Sequence, residues 1–252
     1  MISALPMYWF AETKAAHVAF WSLTRDHLRA HGVKAPKSLN ETKSPHQVWS
    51  APDLVLSHIC NLPYRAEFKN TLTRIGACDY GLEGCGPGQY RALFIVRTDH
   101  PAQTPEELAG ATMALNSDDS HSGWGAAANW ALARSIRFKP TCWTGSHQHS
   151  LGAVIAGDAA FCTIDAQTFE ILKRIDPKTR LVRVLGATEP SPGMTFVTAR
   201  GNDPAPFDAA IKAAIVGLDD RHRTVFGLKN IIALPNEAYE IPLPPDPRSW
   251  QT

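Results

Sequence analysis

Two short stretches carry the residue types that bind or transform small polar molecules. Asn116 to Gly123 reads NSDDSHSG and runs straight into the small-residue segment WGAAANWALA, and Gly145 to Ser150 reads GSHQHS. In both, hydroxyls and imidazoles stand just ahead of a segment of helical composition, where the first backbone N–H groups have no acceptor within the helix. Such a start attracts anions, and Ser120, His121, Ser122, Ser146 and His147 would add donors to it. Taken singly, each stretch also reads as an ordinary N-cap, because serine and aspartate are the usual capping residues.

Other chemistries compete for the same residues. His147 and His149 with Asp165 could hold a metal ion if the HQH segment were extended, but on a helix residues two apart point in different directions. Ser120 or Ser122 with His147 and Asp165 could form a hydrolytic triad, which is defined by geometry and not by order. Against that, there is no GxSxG elbow, and SHSG lacks the glycine two residues before its serine. Asp165 reads equally as the N-cap of a helix starting at Ala166. Tyr90 could face a ligand or be a half-buried strand aromatic, and Trp9, Trp49 and Trp124 pose the same choice.

Composition narrows the partners. Twenty-five Lys plus Arg against 24 Asp plus Glu in 252 residues leave a formal charge of +1, so no whole-chain field gathers nucleic acid. No apolar run reaches the roughly 18 residues of a membrane span, so no membrane insertion is expected. The start MISALPMYWFAETK has no basic leader region, which points to the cytoplasm if the chain begins at Met1. Five cysteines without paired zinc spacing fit buried thiols, with a Cys78 to Cys85 disulfide left open.

The elements that must position these residues alternate. ISALPM, PDLVLSHI, TLTRIGAC, QYRALFIVR, ATMALN, TCWTG, AAFCTI, RLVRVLGA and TFVTAR read as strands. Helices are expected over Thr13 to His31 (Ala16, Ala19, Phe20, Leu23 and Leu28 on one face, Gly32 at the stop), over 122 to 135, and in SHQHSLGAVIAG, DAQTFEILKRI and FDAAIKAAIVGL. TPEELAG reads as a helix start with Thr104 as N-cap, Pro105 next, Glu107 closing a capping box and Gly110 at the end. This rhythm implies an α/β fold of mostly parallel sheets flanked by helices, with ligand at the carboxyl ends of the strands. The tail IPLPPDPRSWQT is expected to run extended over the surface.

The segments SALPMY, DLVLSHICNLPY, YRALFIVR, TPEELAGATMALNSDDSHSG and GSHQHSLGAVIAGDAAFCTID, in this order over most of residues 2 to 200, carry a resemblance. The chain resembles the substrate-binding proteins of phosphate, phosphite and phosphonate ABC transporters, which have the type II periplasmic binding-protein fold. The resemblance implies two α/β lobes, residues 1–93 plus 197–252 and residues 94–196, with a two-segment hinge and a ligand cleft between them. It also implies a periplasmic solute-binding protein for a small anionic or zwitterionic ligand, with an ABC permease as partner, no cofactor and no catalysis. Ser120, His121 and Ser122 would then grip the anion, with His147 adding a donor. Tyr90 and the loop around Asn61 would close from the other lobe, an acid at or near Asp165 would meet an amino group, and Tyr8, at the end of the first strand, is a further candidate ligand contact. The family's loop commonly reads STSG, so His121 is a departure, and Asp118 and Asp119 would oppose a dianion unless they point away or bind helix N–H groups. A cytoplasmic ligand sensor or hydrolase-like enzyme built on the same fold is the alternative.

Overall fold

The computed structural model describes residues 1–251. Its strands run in chain order as β1 (Ile2–Ala4), β2 (Leu54–Ile59), β3 (Leu72–Asp79), β4 (Gln89–Tyr90), β5 (Ala92–Arg97), β6 (Thr112–Leu115), β7 (Lys139–Trp143), β8 (Phe161–Asp165), β9 (Val182–Ala187), β10 (Ser191–Pro192), β11 (Thr195–Ala199) and β12 (Asn230–Ile232). The chain divides into two compact units, Met1–Gln89 with Pro192–Tyr239, and Tyr90–Ser191 with the segment from Glu240 onward.

The first unit is built on a sheet of order β1-β2-β11-β3-β12. All six residues of β2 are buried, as a strand covered on both faces requires. The helix Lys14–Ala30 turns Ala16, Phe20, Trp21 and Leu28 inward, and Gly32 beyond it takes the left-handed backbone (φ 79°) that ends a helix cheaply. Phe20 stacks on Phe226, 4.6 Å between ring centroids, which ties this helix to Asp220–Phe226.

The second unit is built on a sheet of order β7-β6-β8-β5-β9. Here β6 lies between β7 and β8 and runs parallel to both, while β5 pairs antiparallel with β8, Ala92 opposite Asp165. Because three neighbouring strands run the same way, the residues after Leu115, Trp143 and Ile164 emerge on one edge of the sheet. The core beneath is aromatic, with Phe94, Trp124, Trp130, Phe138 and Phe161 in one buried cluster.

Four expectations change. The sheets are more mixed than alternation suggests: β11 runs antiparallel to both β2 and β3, β12 antiparallel to β3, and β5 antiparallel to β8 and β9. A continuous apolar run records burial on two faces but not direction, so these strands resemble parallel ones in sequence. TPEELAG forms a single 3₁₀ turn, Pro105–Leu108; Thr104 makes no side-chain cap bond, and the Glu107 carboxylate accepts instead from Gln103 N at 3.1 Å. The capping box that does form, Ser44 with Gln47, opens the short helix Pro45–Trp49.

The division of the chain also differs from the expected one. Tyr90 and the tail from Glu240 both belong to the second unit, not to the first lobe. The tail is held there by burial: Trp250 sits edge-on to Trp124 at 5.1 Å, and Trp124 Nε1 donates to Pro245 O at 2.8 Å. A tryptophan that far along the chain goes to whichever apolar cluster has room, and sequence order does not say which. No disulfide joins any of the five cysteines, and no helix among the described residues is long and apolar enough to cross a membrane.

Candidate functional site

In the second unit, β6 delivers the chain to Asn116, and Asn116 O accepts from Gly145 N at 3.0 Å, so the two donor-rich stretches are joined backbone to backbone. Ser120 takes an extended conformation (φ −75°, ψ 122°) and caps the turn after it, its Oγ accepting from Gly123 N at 3.0 Å. That turn, His121–Gly125, is π-helical: Ser120 O accepts from Trp124 N and from Gly125 N, both at 3.0 Å. Such turns gather at functional sites because they push side chains out of ordinary helical phase. Thr163 Oγ1, from β8, pins the turn by donating to Gly123 O at 3.2 Å. A side chain at position 123 is sterically barred, since a Cβ there would lie 1.8 Å from Asn116 Oδ1.

The helix Ala126–Leu132 continues from this turn. Ser122 is buried, with its Oγ 3.0 Å from Nε2 of His147 on the helix His147–Ala156. His121 is buried too; its Nε2 lies 3.0 Å from Ser191 Oγ, and its ring faces that of Tyr90 at 6.0 Å. Asp165 is 1% exposed, and its Oδ2 is 3.6 Å from His147 Nε2. Positions 90 and 121 therefore meet beside Ser191, and positions 122, 147 and 165 meet in a second polar group, the two joined through the His121–Ser122 backbone.

Capping explains part of each motif. Asp165 is an N-cap: Oδ1 accepts from Thr168 N at 2.8 Å and Oδ2 from Thr168 Oγ1 at 2.5 Å. Ser146 is likewise spent as a cap, with Oγ accepting from His149 N at 3.1 Å. The cap of the first stretch is Ser120, not an aspartate. Asp118 turns elsewhere, accepting from Trp143 Nε1 on Oδ1 and from Arg248 Nη1 on Oδ2.

The triad geometry does not assemble. A relay needs the serine on one imidazole nitrogen and the carboxylate on the other. Here Ser122 and Asp165 both approach Nε2 of His147, and no carboxylate stands at the buried Nδ1. Burial lowers the His147 pKa below the ordinary histidine value, against the opposing pull of the Asp165 charge and then of the Thr163 carbonyl. A neutral imidazole in this place can serve as hydrogen-bond donor or acceptor. The metal reading also fails to assemble: His149 is exposed and turns Nδ1 to Thr144 O at 3.2 Å, and no group of three metal-binding side chains forms among the described residues.

Tyr8 and Asn61 belong to the first unit. Tyr8 holds a left-handed backbone (φ 60°), unusual for a bulky residue, and Thr13 Oγ1 secures it by donating to Tyr8 O at 2.6 Å. Its ring packs edge-on to Tyr80 at 5.4 Å. Asn61 is fully buried: Oδ1 accepts from Arg65 Nε at 2.5 Å, and Nδ2 donates to Pro192 O at 3.3 Å. Among the tryptophans, Trp49 and Trp124 are core residues. A separate depression of about 460 Å³ in the first unit lies among Trp49, Glu67, Phe68 and Arg200, and includes none of the candidate residues.

Residues 79–234 match the model of a family described as the phosphonate periplasmic substrate-binding protein of ABC transporters. The chain belongs to this family. Membership makes it a solute-binding component of ABC-type uptake, and solved structures share the fold of this phosphonate-family protein. PhnD1 from Prochlorococcus marinus, in complex with methylphosphonate, is 17% identical with a TM-score of 0.71, over 95% of this chain and 93% of that one. The binding-protein component of an ABC phosphonate transporter from Pseudomonas aeruginosa, PA3383, is 14% identical with a TM-score of 0.67, over 94% and 82%. XAC2383 from Xanthomonas citri, bound to ATP, is 14% identical with a TM-score of 0.67, over 99% and 94%. No curated protein matches the chain in sequence. At these identities the likeness is one of fold, the two-unit α/β type II architecture.

Sequence reading missed several residues that this phosphonate-family protein uses to build the cluster. Ser191 on His121, Thr168 on Asp165, Thr163 under the turn and Arg248 on Asp118 are all distant in sequence or unremarkable in type. Only Thr168 had a local signal, since it stands three residues after an aspartate N-cap.

Proposed function

We propose that this binding protein captures a small phosphonate-like oxyanion, or a zwitterion that carries one, at the turn Ser120–His121–Ser122. His147 and Tyr90 add donors, and Asp165 receives an amino group where the ligand has one. The observation that supports this most is the 3.0 Å approach of Ser122 Oγ to His147 Nε2 at the opening of a helical turn. A ligand oxygen placed beside that pair can accept from both, and hydrogen bonds to a charged acceptor are about twice as strong as neutral ones. Recognition by hydroxyl, imidazole and backbone donors fits a chain of net charge +1.

Capture in this reading is reversible binding, the role of the family's substrate-binding component. The captured solute is then handed to a permease. Tyr8 and Asn61 are candidates for further ligand contacts, each tested by its own substitution to phenylalanine or alanine.

A thermal-shift series with methylphosphonate, an aminoalkylphosphonate, phosphate, phosphite, a sulfonate and a carboxylate tests the reading. At 100 times its Kd, a true ligand stabilises the fold by about 2.7 kcal/mol. At least one phosphorus oxyanion is expected to raise Tm, and Ser120→Ala with Ser122→Ala to remove the shift. No shift with any anion, or a shift that the double substitution leaves intact, refutes it.

A further inference from the structure

The tail beyond Glu240 touches the binding turn on both of its flanks. On the upstream flank, two residues before Ser120, the Asp118 carboxylate accepts from Trp143 Nε1 and from Arg248 Nη1 on separate oxygens. The Arg248 guanidinium lies 5.2 Å from the centre of the Trp143 ring, so the three side chains close on one another. On the downstream flank, two residues after Ser122, Trp124 is fully buried and packs on Trp250 while donating to Pro245 O. The same tail is fixed to neighbouring elements by Asn129 Nδ2 on Pro242 O at 2.8 Å and by Gln251 Nε2 on Pro140 O at 3.3 Å.

We propose that the segment 240–251 is a working part of the binding turn, and that Arg248 is a positioning residue which also cancels the charge of Asp118 beside the bound oxyanion. The proposal rests on the oxyanion reading of that turn. A carboxylate in the same loop as an anion site raises the cost of every added negative charge. Asp118 cannot simply be dispensed with, because it orients Trp143; the guanidinium from the tail supplies the balancing charge. Asp246 on the tail lies 3.7 Å from Arg248, Asp119 follows Asp118 in the chain, and another cation, Arg137, lies 5.8 Å from the centre of the Trp250 ring, while Arg248 is the cation in contact with Asp118.

Exposure separates this role from simple packing. The side chains of Asp118 and Arg248 are 38% and 58% exposed, and ion pairs so placed contribute little to folding. Loss of Arg248 should therefore show in ligand affinity and hardly at all in Tm. Calorimetric titration with methylphosphonate or phosphate tests this on the full chain. Arg248→Ala is expected to weaken binding about three- to tenfold, growing as salt is lowered, with Tm nearly unchanged. Asp118→Asn, which keeps the acceptor for Trp143, is expected to restore affinity in the Arg248→Ala background to within about twofold, and Arg248→Lys to retain most of it.

Wild-type affinity in Arg248→Ala overturns the proposal, and so does a loss that Asp118→Asn cannot rescue. If the wild-type protein binds no oxyanion, the ligand reading falls and amide exchange across residues 117–125 decides the structural half. Faster exchange in Arg248→Ala supports the clamp, and unchanged exchange overturns it.

Discussion

Two pairs of histidines, one in each unit, are treated in opposite ways. In the first unit His17 and His58 are 1% exposed and surrounded by rings: His17 meets Phe226 at 4.9 Å, and His58 meets Phe196 at 5.8 Å and Tyr8 at 6.5 Å. The His17 ring nitrogens lie on backbone carbonyls, Thr13 O at 3.0 Å and Met7 O at 3.3 Å, and His58 Nδ1 has no hydrogen bond. In the second unit His121 and His147 each face a serine hydroxyl at 3.0 Å. The first pair serves as core residues with a polar edge. The second pair keeps hydrogen-bonding atoms directed at groups that can exchange partners, which is what a binding site needs.

The contrast can be broken most directly by removing one histidine from each pair. His147→Ala is expected to weaken oxyanion binding by about 10- to 100-fold, the worth of a hydrogen bond to a charged group, whereas His58→Leu should leave Kd within about twofold. Equal losses in the two variants, read by titration calorimetry, would erase the distinction.

A pH series sharpens it further. Burial lowers the pKa of His17 and lowers that of His58 to about 3, with repulsion from His17 second in the case of His58. A depressed histidine stays neutral when folded, so below about pH 6.5 the unfolded chain binds more protons and stability falls as pH falls. That stability is present above the unfolded value and is lost toward about pH 3 for His58. Denaturant midpoints from pH 6.5 to 5 should therefore decline, and His58→Leu should flatten the decline by about 2 kcal/mol. An identical slope in His58→Leu would show that the first unit does not hold this imidazole neutral.

The smallest effect concerns the cap. Ser120→Ala removes the acceptor for Gly123 N and should cost about 1 kcal/mol of stability, measurable by urea unfolding, beyond any change in binding. A cost near zero would mean that the turn is held by Thr163 and the tail without its cap.

Much of this was legible beforehand. Asp165 as an N-cap, Gly157 at the end of its helix and the short strands before NSDDSHSG and GSHQHS follow from local rules that involve only three or four neighbouring residues. Both donor-rich stretches were marked by composition. What local rules missed was how their members would be shared. Ser122 and His147 are 25 residues apart and meet because β6 lies between β7 and β8, a strand order no short pattern encodes. Asp118 looked like a threat to an anion and proved to be tied to an arginine 130 residues away.

The amino-acid sequence determined the alternation of strands and helices, the helix starts rich in hydroxyl and imidazole donors, and the absence of any strong net charge. These are consequences of propensity, capping and apolar spacing, which act over a few residues. Tertiary structure decided the direction of β5 and β11, the unit to which the tail belongs, and which histidines hold serines and which are sealed among rings. Those outcomes turn on burying particular side chains such as Trp250 and Trp124 against distant partners, a free energy set by the packed whole and not by any one segment.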